Sequence, residues 1–326
     1  MKKNEALLSI LRDSGGFVSG SELAERLGVT RASVWKYINS LKDAGYDIEA
    51  VTNRGYRLSP TADVITADTV REALGDSAED FHIEILPECG STNSYLKERA
   101  ATLPEWHAVI AETQSSGRGR LGRSFFSPAR TGLYMSVLLR PRLDAADAPL
   151  ITTAAAVAVC RAIEELAGER AEIKWVNDIF VHGKKVCGIL TEASFDMESG
   201  AVEYVVTGIG INVTAPEDGF PEELSGIAGA VLGSRQHNMR SGLSAAILRH
   251  LYTICSELPD RGFVGEYRSR NFLAGREVDV LHRDGSEPAV VLEVDDKCRL
   301  IVRYADGRVE ALSSGEVSVR QKRDEG

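Results

Sequence analysis

Seven consecutive residues, Gly117-Arg118-Gly119-Arg120-Leu121-Gly122-Arg123, place three guanidinium groups on a glycine-loosened backbone. Glycine lets backbone amides come close to a ligand, and a planar guanidinium donates to two oxygens of a carboxylate or phosphate at once. The spacing predicts an anion-binding loop for a nucleotide or a carboxylate substrate. Residues 113–143 around it hold six arginines (118, 120, 123, 130, 140 and 142) and no acidic residue, in a chain of net charge −10. A merely solvated basic loop is the alternative. The same letters fit G-x-G-x-x-G through Gly117, Gly119 and Gly122, the pattern an NAD-dependent oxidoreductase would use. That pattern needs a helix directly behind it. Here Ser124-Phe125-Phe126-Ser127-Pro128 follows, with a proline and no helical period, and then a strand-like run over 132–139.

Other polar residues have the types and placement to join such a site. Ser91, Thr92 and Asn93 stand before a predicted helix over 94–100. There they either cap the helix or, with its free amides, hold a polar ligand. Lys185 and Gly188 lie on one predicted strand, Gly210 and Asn212 on another, and in one fold both could converge on the arginine loop. Asn177-Asp178 reads as a polar pair between strands.

The bulk numbers bound the answer. A chain of 326 residues with 43% hydrophobic content has room for two or three globular domains. The longest apolar run, 151–160, contains threonine and alanine and reads as a buried helix, so no membrane contact is expected. No signal-peptide pattern opens the sequence. Five scattered cysteines (89, 160, 187, 255 and 298) with no C-x-x-C argue against disulfides and zinc and for a reducing cytoplasm. The six histidines show no H-x-x-x-H spacing, so no protein-ligated structural metal is expected.

The elements that must position these residues fall into three units. Residues 1–60 carry nine Lys and Arg against seven Asp and Glu, a net +2. Helices are predicted over 4–14, over 21–27 with Ser19 or Ser21 as cap, and over 31–44, with Gly28-Val29-Thr30 as the turn between the last two. This is the helix-turn-helix pattern, whose second helix enters the major groove. Arg31, Ser33, Trp35, Lys36 and Tyr37 lie off the Val34/Ile38/Leu41 stripe and are the candidate DNA contacts. Alternating runs over 46–51 and 56–58 around Thr52-Asn53-Arg54-Gly55 read as the wing. An αα-hairpin used for protein contacts is the alternative. Residues 58–63 read as a linker, with Pro60 stopping the wing and small polar residues after it. Residues 65–268 mix strands and helices: helices over 66–74 and 148–167, and strands over 81–86, 107–112, 132–139, 172–181, 185–192 and 202–206. Residues 272–320 hold short strands over 278–281, 289–294, 300–304 and 317–320, with turns at 283–285 and 305–307, and suggest a small SH3-like barrel.

Six motifs occur together here: Ser91-Thr92-Asn93, Gln114, the loop at 117–123, Lys174-Trp175-Val176-Asn177-Asp178, Lys185 with Gly188, and Gly210-Ile211-Asn212. With these the chain resembles the bifunctional biotin–protein ligase and biotin operon repressor family of bacteria over essentially its whole length. The resemblance implies an α+β architecture: a winged helix-turn-helix at 1–60, a mixed α/β ligase domain of the class II synthetase-like kind at 65–268, and an SH3-like β-barrel at 272–320. It implies biotin, ATP and Mg²⁺ as ligands, biotinyl-5′-AMP as intermediate, and a lysine of a biotin carboxyl carrier protein as acceptor. A homodimer binding the biotin operator is implied as well. On matching positions, Ser91, Thr92, Asn93, Gln114, Arg118, Gly119, Arg120 and Lys185 become the biotin and adenylate contacts. Gly117, Arg123, Gly188, Gly210 and Asn212 belong to the same site, with Arg118 and Lys185 as its catalytic pair. Two positions depart from the family: Val176 where proline is usual, and Phe125 where tryptophan is frequent. The chemistry agrees with the residues, since forming an acyl-adenylate needs no enzyme nucleophile and the sequence has no G-x-S-x-G elbow. A lipoate–protein ligase on the related catalytic fold is the nearer alternative, disfavoured by the two flanking units.

Overall fold

The computed structural model describes residues 2–43, 46–59, 63–196, 198, 201–282, 285–313 and 315–319. Pro60 of the expected linker, the turn residues Arg283 and Asp284, and Arg320 lie outside the described residues.

The N-terminal unit is α1 (Lys2–Ser14), α2 (Gly20–Leu27) and α3 (Arg31–Asp43), followed by a hairpin of β1 (Ile48–Val51) and β2 (Gly55–Leu58). Ser19 caps α2 by accepting from the Glu22 amide. Gly28 ends it at φ 61, a left-handed conformation that lets its N–H reach the Ala24 and Glu25 carbonyls. Thr30 then accepts from the Ser33 amide at 3.2 Å and starts α3. Leu7, Leu11, Leu23, Val34, Ile38, Leu41 and Ile48 fill a hydrophobic cluster that belongs to this unit alone. The hairpin is fixed by a backbone exchange: Val18 N–H to Tyr56 O at 2.8 Å and Tyr56 N–H to Val18 O at 2.9 Å. Gly55 makes that approach, with φ +102 and a would-be Cβ only 2.1 Å from the Val18 carbonyl oxygen. Gly55→Ala therefore strains backbone against backbone, at about 1–3 kcal/mol. We expect this variant to lower the melting transition of the N-terminal unit and to leave that of the rest of the chain in place, because the core it disturbs is not shared. An equal shift of both in calorimetry would refute that independence.

The central unit is built on a seven-stranded sheet. Its elements in chain order are α4 (Ala67–Leu74), β3 (His82–Leu86), α5 (Thr92–Arg99), β4 (His107–Ala111), β5 (Gly132–Leu139), α6 (Pro149–Ala167), β6 (Glu172–Lys174) and β7 (Asp178–Val181). β8 (Lys184–Phe195), β9 (Val202–Asn212), α7 (Glu222–Ser225), α8 (Met239–Ser256) and α9 (Val264–Arg270) complete it. The strand order is β3-β4-β5-β9-β8-β7-β6, and only the β3/β4 pair is parallel. Alternation along the strands separates two faces. Ala108, Ile110, Val137 and Val205 join α6 and α8 in the main core, while Val109, Leu138 and Val206 pack on Leu96 and Ala100 around α5. The site lies on the α5 face.

The last unit is an antiparallel sheet of β10 (Glu277–His282), β11 (Gly285–Val294), β12 (Leu300–Tyr304), β13 (Val309–Leu312) and β14 (Glu316–Val319), in the order β13-β12-β11-β10-β14. Among the described residues β13 and β14 are edges with no pairing between them, so the sheet is open. Its Val278, Val280, Val291, Leu300 and Val317 share one core with the central unit, and the Trp175 indole donates to the Cys298 carbonyl at 2.9 Å. All five cysteines are free thiols, and no helix among the described residues is long and apolar enough to cross a membrane.

Candidate active site

The arginine loop leaves β4 and returns as β5, antiparallel to it. A dinucleotide-binding turn would instead feed a helix; here the glycines are followed by only a single 3-10 turn at Arg120–Gly122. The loop closes on itself. Gly119 N–H donates to Arg123 O at 2.7 Å and Phe125 N–H to Gly117 O at 2.9 Å, leaving Leu121 at the tip, 75% exposed. Gly117 lies buried at the neck, where a Cβ would stand 2.4 Å from the Phe125 carbonyl oxygen. It supports the loop and does not line the cavity below.

α5 begins two residues earlier than the sequence suggests, at Thr92, and the reason lies in a distant side chain. Ser91 occupies the cap position but makes no capping hydrogen bond. The carboxamide of Gln114 accepts from the Thr92 amide at 2.9 Å and from its hydroxyl at 3.2 Å, and is anchored on the Ser127 hydroxyl at 3.0 Å. The fully buried Ser136 hydroxyl sits 2.6 Å from Thr92 Oγ1 and 2.7 Å from Asn93 Oδ1. Asn93 Nδ2 donates to the Leu190 carbonyl at 3.0 Å and to Glu192 at 2.9 Å. Ser91, Thr92, Asn93 and Gln114 thus form a preorganised polar floor in which the Ser91 hydroxyl is not used for capping.

That floor opens into a cavity of about 270 Å³. Every predicted site residue except Gly117 lines it: Ser91, Thr92, Asn93, Gln114, Arg118, Gly119, Arg120, Arg123, Lys185, Gly188, Gly210 and Asn212. Gly188 and Gly210 are direct partners across β8 and β9, and the Phe125 ring lies over both. A Cβ on Gly210 would meet that ring at 2.6 Å, one on Gly188 at 3.5 Å. A Cβ on Gly208 would stand 2.1 Å from Asn93 Oδ1, an atom held on a fully buried hydroxyl. Gly208→Ala must displace Asn93 and the floor with it. We expect roughly a tenfold or larger rise in KM for the ligand seated there, measured by steady-state kinetics; an unchanged KM would separate Asn93 from binding.

The charges are paired across elements. Arg120 Nη1 donates to Asn177 Oδ1 at 2.9 Å and Nη2 to the Gly315 carbonyl at 3.0 Å. Lys185 Nζ is 2.7 Å from Asp178 Oδ1. Arg118 Nη1 is 3.2 Å from Glu192, which also receives Lys97 at 2.7 Å. Burial alone would raise the Glu192 carboxyl, but hydrogen bonds from Lys97 and Asn93 and the charges of Lys97 and Arg118 outweigh it and hold it below the usual carboxylate range. Cys187 lines the cavity, yet complete burial pushes its thiol well above its ordinary range, so it stays protonated and inert. The chemistry open to such a cavity is anion binding and charge stabilisation by the cations that line it, Arg118, Arg120, Arg123, Lys174 and Lys185.

Residues 87–212 match the Biotin/lipoate A/B protein ligase family, and residues 3–57 match an HTH domain. The bifunctional ligase/repressor BirA of Escherichia coli is 30% identical over 98% of this chain and 99% of that protein. The chain belongs to the biotin protein ligase family. The Bacillus subtilis bifunctional ligase/repressor is 39% identical over 68% of each chain. A biotin protein ligase from Aquifex aeolicus, solved with biotin and ATP, matches with a TM-score of 0.62 at 27% identity, over 74% of this chain and 99% of that one.

Against the biotin ligase family's usual motif, Val176 stands in a cis peptide after Trp175, and Phe125 supplies the ring over the paired glycines. Several lining residues carried no local signal in the sequence: Phe220, Leu224, Ile227 and Ala228 from the segment around α7, and Gly315 and Val317 from β14 and its approach. The five candidate DNA contacts divide. Arg31, Lys36 and Trp35 are exposed on α3, Trp35 at 58%. Ser33 is engaged with Thr30 at the helix start, and Tyr37 packs half-buried against the N-terminal core.

Proposed function

We propose that this chain activates biotin with ATP to biotinyl-5′-AMP, transfers biotin to a lysine of a biotin carboxyl carrier protein, and represses biotin genes when the adenylate is bound. One observation carries the reading: Arg118, Arg120, Lys185 and the Ser91–Asn93/Gln114 floor all open into the same cavity. The floor suits the polar head of biotin, and the apolar wall of Phe125 and Leu224 suits its ring system and chain. A biotin carboxylate oxygen attacks the α-phosphorus, the bond to the β-phosphate oxygen breaks, and pyrophosphate leaves. Lys185, Arg118 and Arg120 stabilise the charge that builds on the phosphoryl oxygens. The acceptor amine then attacks the acyl carbon, AMP departs and the amine loses its proton.

Among the described residues no three His, Cys, Asp or Glu side chains gather as a metal site, and Asp178 in the cavity is held by Lys185. This donor set fits Mg²⁺ carried in by ATP phosphates and water, and Asp178, the one carboxylate among the described residues lining the cavity, would be available to hold it. When bound, the ion would neutralise the departing pyrophosphate.

We divide the chain at 1–60, 65–268 and 272–320, the last an SH3-like unit that supplies one wall of the site. Arg31, Trp35 and Lys36 are the leading DNA contacts. A single unit of charge +2 binds DNA weakly, so a homodimer that doubles the phosphate contacts on an operator follows physically. A reducing cytoplasm suits the five free thiols. Incubation with labelled biotin and ATP, in parallel with lipoate and with NAD, tests the reading: biotinyl-AMP and a labelled carrier domain are expected. Lipoyl transfer alone would move the chain to the lipoate branch.

A further inference from the structure

Arg240, in the first turn of α8, is only 2% exposed, and the chemistry above makes no use of it. Its Nε donates to Asp63 Oδ2 at 3.2 Å, Nη1 to Glu112 Oε2 at 2.7 Å and Nη2 to Glu112 Oε1 at 3.2 Å. Nη2 also reaches the Asp63 carbonyl, and the Arg240 amide donates to Asp63 Oδ1 at 3.0 Å. Two carboxylates, Asp63 buried and Glu112 partly open to solvent, thus share one buried guanidinium. Taking such ions out of solvent costs several kcal/mol each, so a cluster of this kind adds little stability beyond what apolar residues would give; its better-attested use is to fix the register of what it joins.

Here it joins two segments. Glu112 follows β4 directly and stands two residues before Gln114, whose carboxamide seats α5 and from which the arginine loop departs. Asp63 lies four residues beyond Ser59, the last described residue of the N-terminal unit. Both hang from one planar fork on a helix whose Leu243, Ile247 and Leu251 are fully buried.

We propose that Arg240 is a positioning residue shared by both activities. Through Glu112 it sets Gln114 and the loop; through Asp63 it sets the segment by which the DNA-binding unit joins. Ligand affinity and DNA affinity are then coupled through this fork, reciprocally as linkage requires. The inference rests on the ligase–repressor reading.

The test uses the full chain and, as probe, a duplex enriched by the wild type from a random-sequence pool in the presence of biotin and ATP. Asp63→Asn should leave kcat and the biotin KM within about twofold, while the gain in DNA affinity on adding biotin and ATP falls by about tenfold. Glu112→Gln should raise the biotin KM roughly tenfold at similar kcat, by letting Gln114 drift. A polar variant could unfold, so the apolar triple Asp63→Leu, Glu112→Leu, Arg240→Met is the second arm. It should melt near the wild-type Tm and still lack the gain. Full gain in Asp63→Asn and in the triple, with an unchanged biotin KM in Glu112→Gln, overturns the proposal. A wild type that makes no adenylate or enriches no duplex overturns instead the reading on which it rests.

Discussion

Lys185→Ala lowers the rate of adenylate formation by about 10²-fold or more, the cost of removing one preorganised donor from a developing oxyanion. The Lys185 ammonium lines the cavity beside Arg118 and Arg120 and is 2.7 Å from Asp178. Its removal does double damage: the phosphoryl oxygens lose a cation, and the Asp178 carboxylate, 21% exposed, is left facing them unneutralised. The double variant Lys185→Ala, Asp178→Asn should therefore recover part of the rate, a sign that separates repulsion from lost attraction. Single-turnover formation of labelled biotinyl-AMP reads both. A deficit under about tenfold in the single variant would show that the arginines alone carry the charge.

Arg120→Gly slows formation of the adenylate less than Lys185→Ala does and shortens the residence of what forms. This side chain ties the loop to the turn before β7 through Asn177 and to the last unit through the Gly315 carbonyl. Two charge-assisted hydrogen bonds at a half-buried site are worth about 2 kcal/mol together, or roughly 30-fold in escape rate. The added glycine further loosens the loop. Released biotinyl-AMP acylates any nearby amine, so bystander proteins mixed with the variant should become biotinylated, and retention after gel filtration should fall in parallel. Wild-type retention would mean that Arg120 is a bystander and the loop is held by its own backbone bonds.

Much of this was legible in the chain because it is local. The arginine loop announces itself by charge and glycine within seven residues, and the helix-turn-helix by caps and spacing that the structure places at Ser19, Gly28 and Thr30. The rest depends on partners far away in sequence. The start of α5 shifts from 94 to Thr92 because Gln114, 22 residues on, takes the capping role. β9 runs unbroken to Asn212 through Gly208 and Gly210, glycines that a strand tolerates only because Asn93 and Phe125 fill the space above them. α8 received no assignment, being buried on most sides and so lacking the polar face that marks a helix. Arg240 reads as a solvated charge until its partners, 128 and 177 residues away, are known. β13 is four residues of edge strand, short enough to pass for a loop. The SH3-like expectation saw strands but not their pairing, and the described sheet remains open.

The wall contributed by Gly315 and Val317 sets an order of assembly during synthesis. The winged helix has a private core and can fold while the ribosome is still translating, as N-terminal units do. The vitamin chamber cannot be enclosed until those two residues have left the exit tunnel. A nascent chain would thus be able to touch nucleic acid well before it could hold its activated acyl group.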